Sequence, residues 1–290
     1  KLSGMCKTDR ENYEKYWDDI SPFIKFGCLK DEKFKEKIKD YVLFKDLDDK
    51  YSTLKEYLET IPEPEVEAEV VEEGKEDEKS SEETEAPKKI VYYVTDLQQQ
   101  SQYVKMFREQ DMNAVVLLHN IDQPFISQLE AKNEGIKFMR IDADLTDTFK
   151  AKTSKKAEKE LSDAAEAISK VMKKVLKKDK IAVKVEKLKN RKIASMVTLS
   201  EESRRMQDMM KMYSMPGMDM GEFGKEGETL ILNANHPLVE YVLQNTDGKN
   251  VDMICEQLYD LALLQHAPLE PEAMAKFVQR SNDIMMLLTK

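Results

Sequence analysis

Asp96, His119 and Asp122 are the residues whose types and placement could support acid–base chemistry. All three lie near the carboxyl ends of predicted strands, where parallel sheets often carry their reactive groups. An enzyme built on a small parallel sheet is therefore one hypothesis for this chain. The alternative is that these are loop residues that cap helices, since one histidine near two aspartates is common by chance.

Phosphate and metal chemistry have less support in the sequence. The turn at residues 95–98 contains no glycine, which excludes a phosphate-binding GxGxxG turn or P-loop there. The three cysteines are far apart, and neither His119, His236 nor His266 has a cysteine or histidine at ligand spacing. We therefore predict no metal site, and we interpret the cysteines as buried or incidental thiols in a reducing cytosol.

Seven of the 17 methionines lie between residues 206 and 220. Four side chains of this segment fall at i, i+3, i+4 and i+7 and share one helical face: Met206, Met209, Met210 and Tyr213. Methionine is unbranched and polarisable, so such a strip could repack against differently shaped apolar partners. The alternative is the core-facing side of an ordinary helix. Beyond Pro216 and Gly217 the methionines continue without periodicity, which favours a binding surface.

The net charge of −10 arises from one segment. Residues 63–85 contain twelve acidic residues and two lysines, so the rest of the chain is balanced and gives no reason to expect nucleic acid as a partner. We interpret residues 62–88 as an acidic, flexible insertion, because they have no periodicity and too little apolar surface to fold. No apolar run reaches about 18 residues, so no membrane span is predicted.

The elements around these features predict a mixed α/β and α+β fold. Residues 1–61 are predicted to be helical, with a capping box at residues 8–11 that opens one helix, and with Thr53 and Glu56 at the start of another. Residues 89–150 alternate short apolar strands with helices, which predicts a small αβα unit with a three-stranded parallel sheet. Residues 151–290 follow as an α+β domain. It begins with a long helix over 155–179, and the strings IAVKVEKL and KIASMVTL are expected to form an antiparallel strand pair.

The last two predicted helices carry wide apolar stripes that a short helix pair cannot bury by itself. Either the preceding domain covers these stripes, or a second copy of the chain pairs with them in a four-helix bundle. In the second case the dimer interface contains six predicted residues: Ile254, Leu258, Leu261, Phe277, Ile284 and Leu288.

Five strings, taken in order, resemble the bacterial HtpG type of the ninety-kilodalton heat-shock chaperones. They are TLKEYL (53–58), IVYYVTD (90–96), VLLHNIDQPFISQLE (116–130), LNANHPLVE (232–240) and LALLQHAPLEPEAMAKFVQR (261–280). The likeness covers nearly the whole chain, and the last two strings are its most specific parts. It implies that residues 1–150 form the later part of a middle domain and that residues 151–290 form a C-terminal dimerisation domain.

The resemblance also implies a cytoplasmic stress-response chaperone that forms a homodimer and binds non-native client proteins. The intact protein would use ATP and Mg²⁺. Lys1 is not an initiator methionine, so we expect this sequence to be a fragment without the nucleotide domain, with no ATPase activity and no cofactor of its own. The sequence ends without the acidic peptide that recruits helical-repeat co-chaperones, so none are expected as partners.

The family's client-binding positions correspond to two places in this sequence. One is the methionine-rich helix, with Met206, Met209, Met210, Met212 and Tyr213. The other is the edge of the αβα unit, with Pro124, Phe125 and Ser127, although a tryptophan that the family can place near Pro124 is missing. A structural dimerisation scaffold without client contact is the alternative function.

Overall fold

The computed structural model describes residues 2–62, 88–143, 149–151, 155–178, 181–201, 203, 205–206, 228–265, 268–287 and 289. The chain divides into two compact units. Unit 1 comprises Lys1–Asp96 and Val104–Ile141, and unit 2 comprises Leu97–Tyr103 and Asp142–Lys290. The predicted acidic insertion lies outside the described residues, apart from its two ends.

Unit 1 begins with short helices and then adds a sheet to them. Its helices are α1 (Leu2–Thr8), α2 (Arg10–Lys15), α3 (Trp17–Lys30), α4 (Glu32–Ile38), α5 (Leu54–Thr60), α6 (Ser101–Glu109, from Val104 onward) and α7 (Asp122–Lys132). Its strands are β1 (Leu43–Asp46), β2 (Tyr51–Thr53), β3 (Lys89–Val94), β4 (Val115–Val116) and β5 (Ile136–Arg140). A 3-10 turn at Lys39–Tyr41 joins α4 to β1.

The sheet of unit 1 has five strands in the order β2-β1-β4-β3-β5. Strands β4, β3 and β5 are parallel, as the sequence predicts, with Tyr93 paired to both Val115 and Arg140. The prediction that residues 1–61 are only helical is wrong, because β1 and β2 form an antiparallel hairpin that extends this sheet. Asp49, at φ 62°, allows the tight turn between these strands.

The core of unit 1 is rich in aromatic side chains. The ring centroids of Tyr13 and Trp17 lie 5.3 Å apart with the rings tilted by 52°, and those of Phe44 and Phe138 lie 6.2 Å apart. Helix α5 begins at Thr53 and Glu56 as predicted, where the Thr53 hydroxyl accepts from the Glu56 amide and the Glu56 carboxylate accepts from the Thr53 amide. The predicted capping box at residues 8–11 is wrong, because no side chain caps α2 and the Thr8 hydroxyl donates to the Gly4 carbonyl instead. Residues 1–62 and the parallel strands are therefore parts of one folded unit.

Unit 2 has a three-stranded sheet with helices packed on it. Its strands are β6 (Ala182–Glu186), β7 (Ser195–Leu199) and β8 (Glu228–Asn233), and its helices are α8 (Lys155–Leu176), α9 (Pro237–Gln244), α10 (Val251–Leu264) and α11 (Pro271–Leu287). The strand order is β6-β8-β7. The predicted antiparallel pairing of β6 with β7 is wrong, because β8 lies between them, parallel to β6 and antiparallel to β7.

Asn233, at the end of β8, explains why β8 occupies the centre of this sheet. Its fully buried side chain donates to the carbonyls of Asn190 and Ile193 and accepts from the amide of Leu188. These hydrogen bonds hold the loop between β6 and β7 against the end of β8. Helix α9 is capped by His236, whose Nδ1 accepts from the Leu238 amide, and Pro237 occupies the first helical position.

Candidate functional site

The aspartate at the start of α7 belongs to a buried ion pair. Asp122 Oδ1 lies 2.5 Å from the Lys25 ammonium of α3, and both side chains are at most 5% exposed. The other carboxylate oxygen accepts from the His119 amide at 2.9 Å. The ammonium also lies about 6 Å from the rings of Phe44 and Phe125, within the range of a cation–π contact.

These contacts give Asp122 a structural role rather than a catalytic one. The His119 imidazole lies 3.8 Å from the carboxylate, beyond hydrogen-bond distance. Asp96 is exposed and lies two residues beyond the end of β3. The described contacts therefore give no support to an acid–base site. The alternative that these residues cap helices is not seen at Asp122 either, because the N-cap of α7 is Ile121 and no side chain caps this helix.

The predicted client edge on α7 is only partly at the surface. Ser127 is exposed and Pro124 is half-buried, but Phe125 is 1% exposed and belongs to the aromatic core of unit 1. Phe125 packs with Ile126 beneath the helix, where no client could reach it. Of the three predicted residues, Pro124 and Ser127 reach the surface and Phe125 does not.

The methionine-rich strip is described only at its beginning. The Ser200 hydroxyl accepts from the Ser203 amide, which starts a helix at Glu201. Arg205 pairs with Glu201 at 2.8 Å, and Met206 is 60% exposed. The remaining predicted positions, Met209, Met210, Met212 and Tyr213, lie outside the described residues.

An exposed aromatic surface on α3 was not among the sequence predictions. Phe23 is 78% exposed, and Tyr16 and Phe26 are each about half exposed. Lys15 lies over the Tyr16 ring and Lys30 over the Phe26 ring. The spacing of residues 16, 23 and 26 follows one helical face, and this spacing is the signal by which the surface could have been found.

The predicted dimer interface falls on α10 and α11, whose residues differ in exposure. Leu258 is 1% exposed and belongs to the core of unit 2, and Ile254 is half-buried against that core. Leu261 is exposed, and Phe277 and Ile284 are half-buried. Leu288 lies outside the described residues. Leu258 is thus unavailable to a second chain.

A buried arginine joins α11 to α10. Arg280 Nε donates to Gln257 Oε1 at 2.9 Å, Nη1 donates to Glu256 Oε2 at 2.9 Å, and Nη2 donates to the Asp260 carboxylate. Gln257 Nε2 also donates to the Ser281 hydroxyl at 3.2 Å. We call this network the Arg280 clasp. The sequence offered a signal for it, since Glu256 and Asp260 are four residues apart and face one side of a helix.

Apolar side chains of α11 remain outside the clasp. Val278, Met285, Met286 and Leu287 are each between 45% and 58% exposed. We call Val278 and Met285, which are one heptad apart, the outer stripe of α11. Exposed apolar groups grouped on one helix are typical of a surface that binds another protein.

Other chemistry receives no support from the described residues. Within them, no group of three or more His, Cys, Asp or Glu is arranged to hold a metal ion. None of the described helices is long and apolar enough to cross a membrane. All three cysteines are buried and unpaired, and burial raises the pKa of Cys28 to about 11 and that of Cys255 to about 12.

The chain thus consists of two compact units that contain both helices and strands, and its last described helix carries exposed apolar side chains. The family model described as Hsp90 protein matches residues 2–290. The chain therefore belongs to the Hsp90 family, which confirms the resemblance found in the five strings.

Several curated relatives are bacterial proteins named chaperone protein HtpG. The one from Bacteroides thetaiotaomicron is 29% identical over 86% of this chain and 34% of its own length. The one from Porphyromonas gingivalis is 31% identical over 84% of this chain and 33% of its own length. The one from Bdellovibrio bacteriovorus is 26% identical over 98% of this chain and 42% of its own length. The chain thus spans about a third of the length of the first two relatives.

Proposed function

We propose that this chain is a chaperone module that pairs with a second copy through α10 and α11 and holds non-native polypeptides on apolar surface. The observation that carries the proposal is the outer stripe of α11, which is exposed although α11 is clasped to α10 through Arg280. Two such pairs related by a twofold axis would bury both stripes in a four-helix bundle. Leu261 of α10 is also exposed, and Phe277 and Ile284 of α11 are half-buried.

The client-binding part of the proposal is supported by Met206 and by the character of the segment that follows it. An exposed methionine at the start of a methionine-rich segment suits contacts that must repack from one client to the next. We propose Met206, Met209, Met210, Met212 and Tyr213 as the main client surface, with Pro124 and Ser127 as a smaller polar edge.

Sedimentation velocity over a dilution series tests the pairing. We expect a dimer that dissociates on dilution. A control substitution of the exposed Glu272 by Gln, on the same helix, should leave the dissociation constant unchanged. A chain that stays monomeric at every concentration would contradict the pairing.

Suppression of the aggregation of a heat-denatured model client tests the binding. The triple substitution Met209→Ser, Met210→Ser and Met212→Ser should reduce suppression several-fold while the circular dichroism spectrum and the dimer are retained. Loss of the folded state in this variant would instead show that the strip is core. A control with Met285→Ser separates client binding from pairing, because it changes a methionine of the outer stripe.

The second candidate is a dimerisation scaffold without client contact. The clasped helix pair favours it, because α10 and α11 would be sufficient for pairing by themselves. A chain that dimerises but does not slow client aggregation would support this candidate.

ATP and Mg²⁺ are proposed for the whole protein rather than for this chain, which covers about a third of those relatives. We propose that the chain alone has no nucleotide site. Saturable binding in a calorimetric titration with ATP and Mg²⁺ would contradict this.

A further inference from the structure

The Arg280 clasp is unusual in placing a charged side chain where two helices meet. Arg280 is only 9% exposed, whereas the apolar Val278 and Met285 of the same helix are about half exposed. An arrangement that minimised exposed apolar area within one chain would place these side chains the other way round. The polar contact therefore determines which face of α11 meets α10.

The contacts of the clasp come from a single turn of α10. Glu256, Gln257 and Asp260 receive all the described hydrogen bonds of the guanidinium, including a 3.4 Å contact to the Glu256 carbonyl. The planar guanidinium donates in fixed directions, so several acceptors restrict its orientation more than a single ion pair would. The link from Gln257 to Ser281 adds a second point of attachment, one residue along α11.

Helical geometry connects this contact to the outer stripe. At about 100° per residue, Val278 and Met285 lie roughly 140–160° around the helix from Arg280. The half-buried Phe277 and Ile284 lie between these two directions, at roughly 40–60°. A rotation of α11 that brought Val278 and Met285 onto α10 would remove the guanidinium from its acceptors.

Resting on the pairing proposed above, we propose that Arg280 is a positioning residue for dimerisation. It fixes the rotation of α11 on α10, so that the outer stripe faces a second copy before the copies meet. Without the clasp, α11 can rotate and cover its apolar residues within its own chain. Part of the free energy of association is then lost in restoring the open orientation.

The test compares full-chain variants by sedimentation velocity, with hydrogen exchange of residues 271–287 as the second measurement. Arg280→Met should raise the dimer dissociation constant at least tenfold and increase exchange in α11. Arg280→Lys keeps the charge but loses the planar set of guanidinium donors, so its dissociation constant and exchange rate should lie between those of Arg280→Met and the unchanged chain. Lys276→Met is the matched control, because Lys276 forms only an exposed pair with Glu272 on the same helix, and it should change neither measurement.

The outcomes separate this inference from the proposed pairing. A monomeric unchanged chain would refute the pairing and, with it, the role of Arg280. A dimeric unchanged chain with an equally tight Arg280→Met dimer would overturn the inference alone. If Arg280→Met fails to fold, the exchanged pair Arg280→Glu with Glu256→Arg gives the decisive result. A dissociation constant restored to within threefold of the unchanged chain supports positioning, and a folded exchanged pair that does not dimerise contradicts it.

Discussion

Unit 1 and the helix pair of unit 2 each bury a cation between two helices, with opposite consequences for the apolar side chains nearby. Lys25 joins α3 to α7 inside a shell of aromatic rings that is closed to solvent. Arg280 joins α11 to α10 while Val278 and Met285 stay exposed. A buried ion pair in a closed core contributes to the stability of that core. At an open helix pair, it can instead set the orientation of a surface.

The largest expected effect is on the closed side of this comparison. Lys25→Met leaves the Asp122 carboxylate buried without its cation, and the loss of one partner of a buried pair costs about 3–5 kcal/mol. Trp17 is the only tryptophan and lies in the core of unit 1, so its fluorescence during urea unfolding reports on this unit. The midpoint should fall by more than 1 M.

Two controls accompany this prediction. Lys30→Met removes an exposed lysine from the same helix and should change the free energy of unfolding by less than about 0.5 kcal/mol. Asp122→Asn combined with Lys25→Met removes both charges and keeps an acceptor for the His119 amide, so it should recover part of the loss. If the double variant is less stable than Lys25→Met, the comparison fails, because an unpaired charge is then not the cause.

The next effect is on the open side. Val278→Ser with Met285→Ser removes apolar area that is exposed in the single chain. The loss should therefore appear in association rather than in folding. At about 25 cal/mol per Å², burying the exposed half of both side chains is worth roughly 1–3 kcal/mol per chain. Because a twofold dimer contains each side chain twice, the dimer dissociation constant should rise by about 30-fold or more. Sedimentation gives this constant, and the Trp17 transition should stay unchanged.

A third, smaller effect compares the thiols of the two units. Burial raises the pKa of Cys28 in unit 1 and of Cys255 in unit 2, so few thiolates exist near pH 7.5. Both should react with a thiol reagent on the order of a hundredfold or more slower than a free cysteine. Mass spectrometry of labelled peptides should show that Lys25→Met accelerates labelling at Cys28 and leaves Cys255 unchanged. Equal acceleration at both sites would mean that the two units do not unfold independently.

The sequence predicted best those elements that follow from hydrophobic periodicity or from residues a few positions apart. The parallel strands β3, β4 and β5 were predicted from the alternation of short apolar strands with helices, and the start of α5 was predicted from Thr53 and Glu56, which are three residues apart. The order of the strands in unit 2 was not predicted, because a buried amide, Asn233, connects residues about 40 positions apart. Periodicity carries no information about such a contact.

The candidate site shows the same limit. Phe125 and Leu258 were predicted to lie on binding surfaces, yet both are core residues, since one apolar side chain in a stripe does not show which neighbour covers it. Lys25 and Arg280 interrupt apolar faces, and such interruptions could have been recognised as buried cations. Their partners, 97 and 20–24 residues away, could not have been chosen from the sequence alone.

The smallest expected effect concerns the capping box of Thr53 and Glu56, a local and partly exposed contact, in contrast to the buried contacts of Lys25 and Arg280. The pKa of Glu56 lies below its usual range, first because its carboxylate accepts from the Thr53 amide and also because Arg10 lies at 3.2 Å. The ionised carboxylate therefore stabilises the folded state above its unfolded pKa of about 4.5, and this contribution is lost as the pH falls through the lowered folded pKa.

Glu56→Gln keeps an acceptor for the cap but does not ionise, so it should cost less than about 1 kcal/mol at pH 7. The difference in unfolding midpoint between the unchanged chain and Glu56→Gln, followed by Trp17 fluorescence, should shrink towards about pH 3. Glu59→Gln on the same helix is the control. A difference that grows on acidification would show that the charge of Glu56 does not stabilise unit 1.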